Sequence, residues 1–364
     1  MGANNSGKSG SDMLSIFIKR LYNLYGPYLA GSAKRDKFTI IEERSMQTYL
    51  KTKPIWIQLL LFIGMAFGLF MILTLVGTVI LSKVTGVSIL EIRDIAKWNA
   101  NDPGMIYFIR GLLLIQFLGL FLIPSLLFAY FSDPKPFHYL GLQRPRKNVY
   151  WLLAIVIMFI SIPAVEYIGA LNQKLNFGTE THKWMKGMEE EATKQIQFML
   201  AKHTPGELIT NLIFISLFAG VGEELFFRGV LQRMFIRAFK NPWMGIVLTA
   251  AIFSAFHFQF FGFFPRLALG IVLGTIYWYS GSLWPAIIAH FIYDGFIIVL
   301  VYFNPSMIKN PDQTLMNPST LLPLALGSVA LTILLLWLMR KYSSTSYTQV
   351  YKNDKPSELD KFSF

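Results

Sequence analysis

The sequence of 364 residues contains no cysteine and only five histidines. Without cysteine, the chain can form neither a disulfide framework nor a thiol nucleophile. Charged residues are also sparse, since they make up 15% of the chain against 54% for hydrophobic residues, and the mean hydropathy is +0.46. A chain this apolar is unlike a soluble α/β protein, and its composition predicts helices that cross a lipid bilayer.

Long apolar runs separate the few charged segments. A bilayer core about 30 Å thick requires a helix of roughly 20 mostly apolar residues, and most of the runs approach or exceed that length. We therefore predict an all-α protein, a polytopic transmembrane helical bundle of about eight spans. The predicted spans are residues 55–82, 106–130, 150–170, 205–239, 243–262, 265–280, 284–303 and 320–340.

The formal net charge of +12 is better explained by membrane topology than by nucleic-acid binding. The basic residues lie beside the apolar runs and do not gather in a domain of their own. With the N-terminus inside, 21 Lys and Arg residues fall in cytoplasmic segments and 9 in outer segments. Because cytoplasmic loops carry an excess of Lys and Arg, this split predicts that both termini lie in the cytoplasm.

The distribution of charge and apolar runs divides the chain into four parts. Residues 1–53 are expected to form a cytoplasmic N-terminal segment with a disordered start and an interfacial helix. Residues 54–204 would contain accessory transmembrane helices and an outer amphipathic loop. Residues 205–303 contain the polar interruptions described below, and residues 304–364 would form the last span and a cytoplasmic tail.

The outer loop, residues 171–207, contains an amphipathic helical pattern. Its apolar residues recur at three- and four-residue spacing: Trp184, Met188, Ala192, Ile196 and Met199. Two interpretations stay open. The segment is either a surface helix that packs on the loops, or a lid that lies on the membrane over a functional site.

Two adjacent glutamates and an arginine interrupt the fourth apolar run. Glu223, Glu224 and Arg228 lie between uncharged stretches, and charges at bilayer depth are costly enough to indicate a functional site. On a helix, Glu224 and Arg228 share a face and can pair. Glu223 is rotated by about 100° from Glu224 and has no cation one turn away. The pattern thus predicts that Arg228 neutralises Glu224, while Glu223 is free to interact with another group.

Further polar residues interrupt two later runs. His257 lies in the fifth predicted span, and the seventh contains His290 and Asp294 one helical turn apart. Together with Glu223, these residues lie at comparable depth and are expected to share one site. Charged groups at that depth require a water-filled cavity.

Arg110 and Arg266 receive a different interpretation. Each lies near the end of a predicted span. A long arginine side chain can cover apolar surface while its guanidinium reaches the membrane boundary. We therefore expect both arginines to extend towards the interface.

The three interrupted runs resemble the signature motifs of the CPBP family: Glu223-Glu224-x-x-x-Arg228, Phe253-x-x-x-His257 and His290-x-x-x-Asp294. This family contains the CAAX prenyl endopeptidases of the glutamate type and bacterial relatives, some of them tied to bacteriocin processing or self-immunity. The resemblance covers about residues 205–303, which would form a CPBP-like catalytic core. It implies a multi-pass protein of the bacterial inner (plasma) membrane.

The resemblance implies an intramembrane endopeptidase that hydrolyses a peptide bond in a membrane-associated protein or peptide. In that family pattern, Glu223 and His257 would activate a water molecule, while His290 and Asp294 would stabilise the oxyanion. The Glu–Arg pair of the first motif would give structural support. The implied partners are membrane lipid and a hydrophobic or lipidated protein or peptide substrate, with no nucleic acid.

Asp294 departs from the prenyl proteases, which usually carry Asn at this position. An ionised Asp cannot donate a hydrogen bond to an oxyanion. One alternative is a protonated Asp294 that donates as Asn would. The other is a divalent metal such as zinc, held by Glu223, His257, His290 and Asp294.

Two functions from other classes also remain open. The polar cluster would serve equally as a binding site in a non-catalytic membrane scaffold or immunity protein. It would also serve as the proton relay of a proton-coupled transporter. A transporter is the weaker alternative, because the sequence shows no inverted-repeat halves.

Overall fold

The computed structural model describes residues 48–175, 178–309, 318–346 and 350, which all belong to the unit Gln47–Phe364. The fold is all-α, with 82% helix and no strand among these residues, which confirms the predicted class. The predicted disordered start and interfacial helix, and most of the predicted cytoplasmic tail, lie outside the described residues.

Nine long helices form the described part of the chain. In chain order they are α1 Ile55–Thr85, α2 Pro103–Ser132, α3 Val149–Asn172, α4 Thr179–Met199, α5 Pro205–Phe239, α6 Pro242–Ala255, α7 Phe263–Ser280, α8 Trp284–Phe303 and α9 Pro318–Tyr342. Short helical turns lie at Tyr49–Thr52, Ile89–Ile92, Ile95–Lys97, Pro136–Tyr139, Phe260–Gly262 and Ser306–Lys309.

Seven of these helices are long and apolar enough to cross a membrane within the described ranges, all except α4 and α6. The protein is thus an integral, multi-pass membrane protein. The fifth predicted span, residues 243–262, corresponds to α6, which has only 14 residues. At 1.5 Å per residue it is about 21 Å long. It ends at Ala255 rather than at residue 262, so His257 lies beyond the helix and not within a span.

The start of α5 follows from its sequence. The Thr204 hydroxyl accepts a hydrogen bond from the backbone N–H of Glu207 at 3.3 Å, and Pro205 occupies the first turn, where its missing N–H costs nothing. The Glu207 carboxylate does not complete a capping box, because it pairs instead with Arg110 of α2.

Arg110 corrects one expectation from the sequence. It is buried, and its guanidinium contacts both Glu207 and the side-chain oxygen of Asn211. The Asn211 amide in turn donates to the Met199 carbonyl at 3.0 Å. Arg110 therefore does not reach towards the membrane boundary but joins α2, the end of α4 and α5 through a buried polar network.

Helices α5 and α8, which both contribute residues to the candidate site, pack closely against each other. A Cβ atom on Gly220 would lie 3.1 Å from the backbone nitrogen of Phe291, so the absence of a side chain lets the two helices approach. The Ser216 hydroxyl donates to the Phe291 carbonyl at 2.5 Å. Helix α5 also contains two π-helical segments, Leu212–Leu217 and Glu224–Gln232, a variation that is frequent at functional sites.

Candidate active site

Glu224 and Arg228 form a fully buried ion pair. Arg228 Nη1 lies 2.6 Å from Glu224 Oε1, and both side chains are 0% exposed. Arg228 Nη2 donates to the Gly270 carbonyl of α7 at 3.2 Å, and the guanidinium lies 4.5 Å from the centre of the Phe253 ring of α6. One arginine therefore connects three helices, and the Glu224 carboxylate balances its charge.

His290 lies between two carboxylates. Its Nδ1 atom is 2.9 Å from Glu224 Oε1, and its Nε2 atom is 3.3 Å from Asp294 Oδ2. A carboxylate only accepts hydrogen bonds. Either the imidazole carries two protons, or Asp294 carries the proton that the imidazole lacks. The proton between His290 and Asp294 is thus shared by the pair and cannot be assigned to one residue alone.

Glu223 has a different environment from its neighbour. Its side chain lines a cavity of about 640 Å³, and it is partly exposed where Glu224 is fully buried. Within the described part of the chain, no side chain forms a hydrogen bond or ion pair with Glu223. The same cavity is lined by His257, His290 and Asp294. The structure thus brings together all four residues that the sequence pattern selected.

His257 reaches the cavity from the turn that follows α6. Its Nδ1 atom lies 2.8 Å from the Phe253 carbonyl oxygen. A carbonyl can only accept, so Nδ1 must carry the proton. In the neutral ring, Nε2 then has a free lone pair. Because α6 ends before His257, the side chain extends from a turn and is held by the last carbonyls of the helix.

Arg266 also belongs to this site, although the sequence pattern did not select it. It was expected to extend to the membrane boundary, but it lines the same cavity as Glu223. Its guanidinium donates to the backbone oxygen of Gln259 at 3.0 Å and to the side-chain oxygen of Gln259 at 2.7 Å. The available signal was an arginine in an apolar run only nine residues after His257, with no carboxylate within one turn.

Helix α4 covers part of this cavity. Gln195, Ile196 and Met199 line it, and the Gln259 amide donates to Glu189 at 3.4 Å. The Trp184 ring lies 5.0 Å from the ring of Phe260, which follows His257 by three residues.

The predicted apolar stripe of α4 is only partly buried. Met199 is buried and Met188 and Ala192 are half-buried, whereas Trp184 and Ile196 are 55% and 48% exposed. The helix therefore lines the cavity with its C-terminal part, while the ring of Trp184 packs beside Phe260.

A metal at this site fits the geometry poorly. Both nitrogens of His290 are engaged by carboxylates, and Nδ1 of His257 is engaged by a carbonyl. Among the described residues, no group of three or more His, Asp or Glu side chains is arranged to hold a metal ion. The zinc alternative lacks the converging donors that it requires, and we derive no chemical step through a metal.

A family model and a bacterial protein both match part of the chain. The family model described as Type II CAAX prenyl endopeptidase Rce1-like matches residues 205–296. The uncharacterized protein YpbD of Bacillus subtilis (strain 168) is 31% identical over 100 residues. That match covers 26% of this chain and 48% of the relative, so it spans about half of that protein. No solved structure matches the chain. Residues 205–296, which contain all four residues of the predicted site, are therefore similar to the Rce1-like CAAX prenyl endopeptidases, a family of proteases.

Proposed function

We propose that the protein is an intramembrane endopeptidase in which Glu223 is the general base. The contrast between two adjacent glutamates carries this proposal. Glu224 is 0% exposed and neutralised by Arg228 and His290, whereas Glu223 faces the cavity without a hydrogen-bonded partner in the described part. A carboxylate partly removed from water is a stronger base than one in solution. Glu223 is thus suited to accept a proton inside the cavity.

The proposed first step uses Glu223 and His257. The Glu223 carboxylate removes a proton from a water molecule, and the resulting hydroxide adds to the carbonyl carbon of the peptide bond. Since Nδ1 of His257 donates to the Phe253 carbonyl, the lone pair on Nε2 is available to accept a hydrogen bond from that water. His257 would thus orient the water while Glu223 takes the proton.

The proposed second step uses His290 and Asp294. The Asp294 side chain is 30% exposed and that of His290 is 8% exposed, so Asp294 is the more accessible of the pair. A protonated Asp294 would turn the proton that it shares with His290 towards the oxyanion and donate a hydrogen bond to it. The proton held by Glu223 then passes to the departing amine as the C–N bond breaks. The products are an amine and a carboxylic acid, which then releases its proton to solvent and becomes a carboxylate.

The cavity lining supports a hydrophobic or lipidated substrate. Most of its wall is apolar, with aromatic side chains from α2 and α5. Trp98 and Gln195 also line it, and both come from segments that the charge distribution assigns to the outer side of the membrane. We propose that a peptide of a membrane-associated protein approaches from that side, between the outer loops and α4, which would act as a lid.

Peptide cleavage in isotopically labelled water tests this function. The purified protein in nanodiscs would receive a library of hydrophobic peptides, with and without a prenyl chain, in H2¹⁸O. Mass spectrometry should show fragments whose new carboxyl group carries one ¹⁸O atom. Glu223→Gln should yield none, while Glu190→Gln, a change on the exposed face of α4, should cleave as the wild type does.

The same experiment separates the peptidase from the other functions. Cleavage by Glu223→Gln at the wild-type rate would rule out the proposed base. If the wild type retains a peptide but cleaves no member of the library, a non-catalytic scaffold or immunity protein replaces the peptidase as the better account. No observation on the structure favours a transporter.

A further inference from the structure

A second cavity lies at the opposite end of the helices from the candidate active site. Along α7, Arg266 near the start lines the first cavity, whereas Ser280 at the end lines the second. The second cavity has a volume of about 540 Å³. Its walls are the segment between α2 and α3, the ends of α7 and α9, and part of α5. None of the residues assigned to peptide hydrolysis lines this second cavity.

The second cavity is lined by positive charge. Four of its described lining residues are cations and none is a carboxylate: Arg144, Arg146, Lys147 and Arg233. Arg144, Arg146 and Lys147 each contact an uncharged group. Arg144 donates to the Asn148 side chain at 3.1 Å, Arg146 to the Ser344 hydroxyl, and the Lys147 ammonium lies 4.7 Å from the centre of the Tyr342 ring. Their charges are thus not balanced by a carboxylate in the described part of the chain.

The basic segment is held in a fixed conformation. Residues 141–143 accept three hydrogen bonds from residues 282–284, where the chain enters α8. The donors are the Leu283 N–H at 2.7 Å, the Ser282 hydroxyl at 2.6 Å and the Trp284 indole at 2.9 Å. Because these bonds anchor the chain just before Arg144, the cavity exists before any ligand binds.

Gly141 explains how the segment fits against α7. Its φ angle is +75°, and a Cβ atom there would lie 2.7 Å from the ring of Tyr277. Only glycine combines this conformation with this approach. The turn that begins at Gly141 therefore brings the following basic residues to the cavity wall.

Topology alone does not account for this arrangement. The positive-inside rule requires basic residues somewhere in the cytoplasmic segments, but it does not require four of them to converge on one cavity. The wall also contains Tyr150, Trp278 and Tyr342, and Trp and Tyr concentrate at the membrane–water boundary. Cations and aromatic side chains thus line the same cavity, a combination that is typical of the membrane–water boundary.

We propose that this cavity binds a phosphate group, carried either by an anionic lipid headgroup or by a soluble phosphate compound. The planar guanidinium of Arg matches the oxygens of a phosphate with two parallel hydrogen bonds. Basic pockets between transmembrane helices are suited to phosphate-bearing headgroups. A cavity with four cations and no lining carboxylate disfavours a cationic ligand and favours an anionic one.

Direct binding to the purified protein tests the proposal. Native mass spectrometry would follow titrations with phosphatidylglycerol, with phosphatidylcholine, whose phosphate is offset by a choline cation, and with inorganic phosphate. The double variant Arg146→Gln/Lys147→Gln should weaken binding about tenfold or more. The matched control Lys135→Gln/Lys341→Gln removes the same charge from the predicted cytoplasmic segments but changes no residue of the cavity wall, and should bind as the wild type does.

The titrations with phosphatidylglycerol and with inorganic phosphate distinguish the two sources of the phosphate group. Saturable phosphatidylglycerol binding that excess inorganic phosphate does not displace assigns a lipid headgroup. Saturable binding of inorganic phosphate, lost in the double variant, assigns a soluble compound. If the double variant unfolds, Arg144→Gln alone serves the same comparison. The proposal is overturned if neither probe binds saturably, or if the control loses as much affinity as the cavity variant.

Discussion

Glu224 of α5 and His290 of α8 lie 66 positions apart in the sequence, yet their Oε1 and Nδ1 atoms are 2.9 Å apart. The same Oε1 atom accepts from Arg228 at 2.6 Å. One carboxylate oxygen therefore fixes the position of the histidine and neutralises the arginine. This leaves the preceding residue, Glu223, as the carboxylate that faces the cavity.

The close approach of α5 and α8 gives a prediction about Gly220. Gly220→Ala places a methyl group about 3.1 Å from the backbone of Phe291, next to His290, and should push α8 away by a few tenths of an ångström. We expect unfolding to become easier by about 1–3 kcal/mol and cleavage to slow by about tenfold. Melting temperature and peptide cleavage measure the two effects.

Gly206→Ala is the matched control for this change. Gly206 lies in the first turn of the same helix, with nothing within 4 Å of the added Cβ. Since Ala favours a helix over Gly by roughly 0.5–1 kcal/mol, this variant should be as stable as the wild type or more stable, with normal cleavage. Equal losses in the two variants would show that the approach at Gly220 is not the cause.

Asp294 gives a prediction about the protonation of the site. If Asp294 donates as a protonated acid, Asp294→Asn keeps a donor that cannot lose its proton. The variant should retain most cleavage, because the amide of Asn still donates a hydrogen bond to the oxyanion. Asp294→Ala, which removes the donor, should lose activity. An inactive Asp294→Asn variant, together with loss of wild-type activity in chelator and recovery with zinc, would favour the metal alternative.

Asp133, which follows the end of α2, gives a prediction about stability and pH. Burial opposes its ionisation, but the hydrogen bond from Lys51 at 2.8 Å, a backbone hydrogen bond from Lys135 and the nearby positive charges of Lys51 and Arg233 prevail. The pKa of the Asp133 carboxyl is therefore lowered from its ordinary value. The resulting stability is present above the unfolded pKa of about 3.9 and is lost as the pH falls through the lower folded pKa.

Thermal unfolding of Asp133→Asn across pH measures this contribution. At pH 7 the variant should be less stable by about 1 kcal/mol or less, since the pair is only partly buried. The difference from the wild type should shrink below about pH 4. Glu190→Gln, which removes an exposed partner of Lys186, should change little at any of these pH values. A constant deficit for Asp133→Asn across the pH range would contradict the ionic explanation.

The charge distribution gives a prediction about orientation. The chain has no cysteine, so a single introduced cysteine is the only thiol to label. Lys135→Cys, just after α2, should react with an impermeant maleimide only after the membrane is permeabilised. Thr181→Cys, at the exposed start of α4, should react in intact cells. The opposite pattern would reverse the orientation and move the approach of the substrate to the cytoplasmic side.

The sequence predicted the polar cluster well because intramembrane charges are rare and costly. Glu223, His257, His290 and Asp294 line one cavity as the pattern indicated. The ion pair of Glu224 with Arg228 also follows from helical spacing, and it forms at 2.6 Å even though the segment is π-helical. These results depend on local spacing and on the cost of burying charge, both of which the sequence contains.

Other features depend on contacts between distant segments. Arg110 was expected to extend to the membrane boundary, but Glu207, 97 positions away, pairs with it. Arg266 is held at the cavity by Gln259, whose side chain also contacts Glu189 of α4. Local spacing carries no information about such partners, because each needs a helix that folds in from elsewhere in the chain.

Comparison of Glu223→Gln with Glu224→Gln tests the central claim most directly, with cleavage and melting temperature measured on both variants in the same nanodiscs. We predict that Glu223→Gln melts as the wild type does and cleaves at least about a hundredfold more slowly, because the base is lost. Glu224→Gln should lower the stability by about 3–5 kcal/mol, because Arg228 is left buried without its counter-charge. The opposite result, an active Glu223→Gln and a Glu224→Gln variant that is inactive but melts normally, would contradict the assignment of the two glutamates.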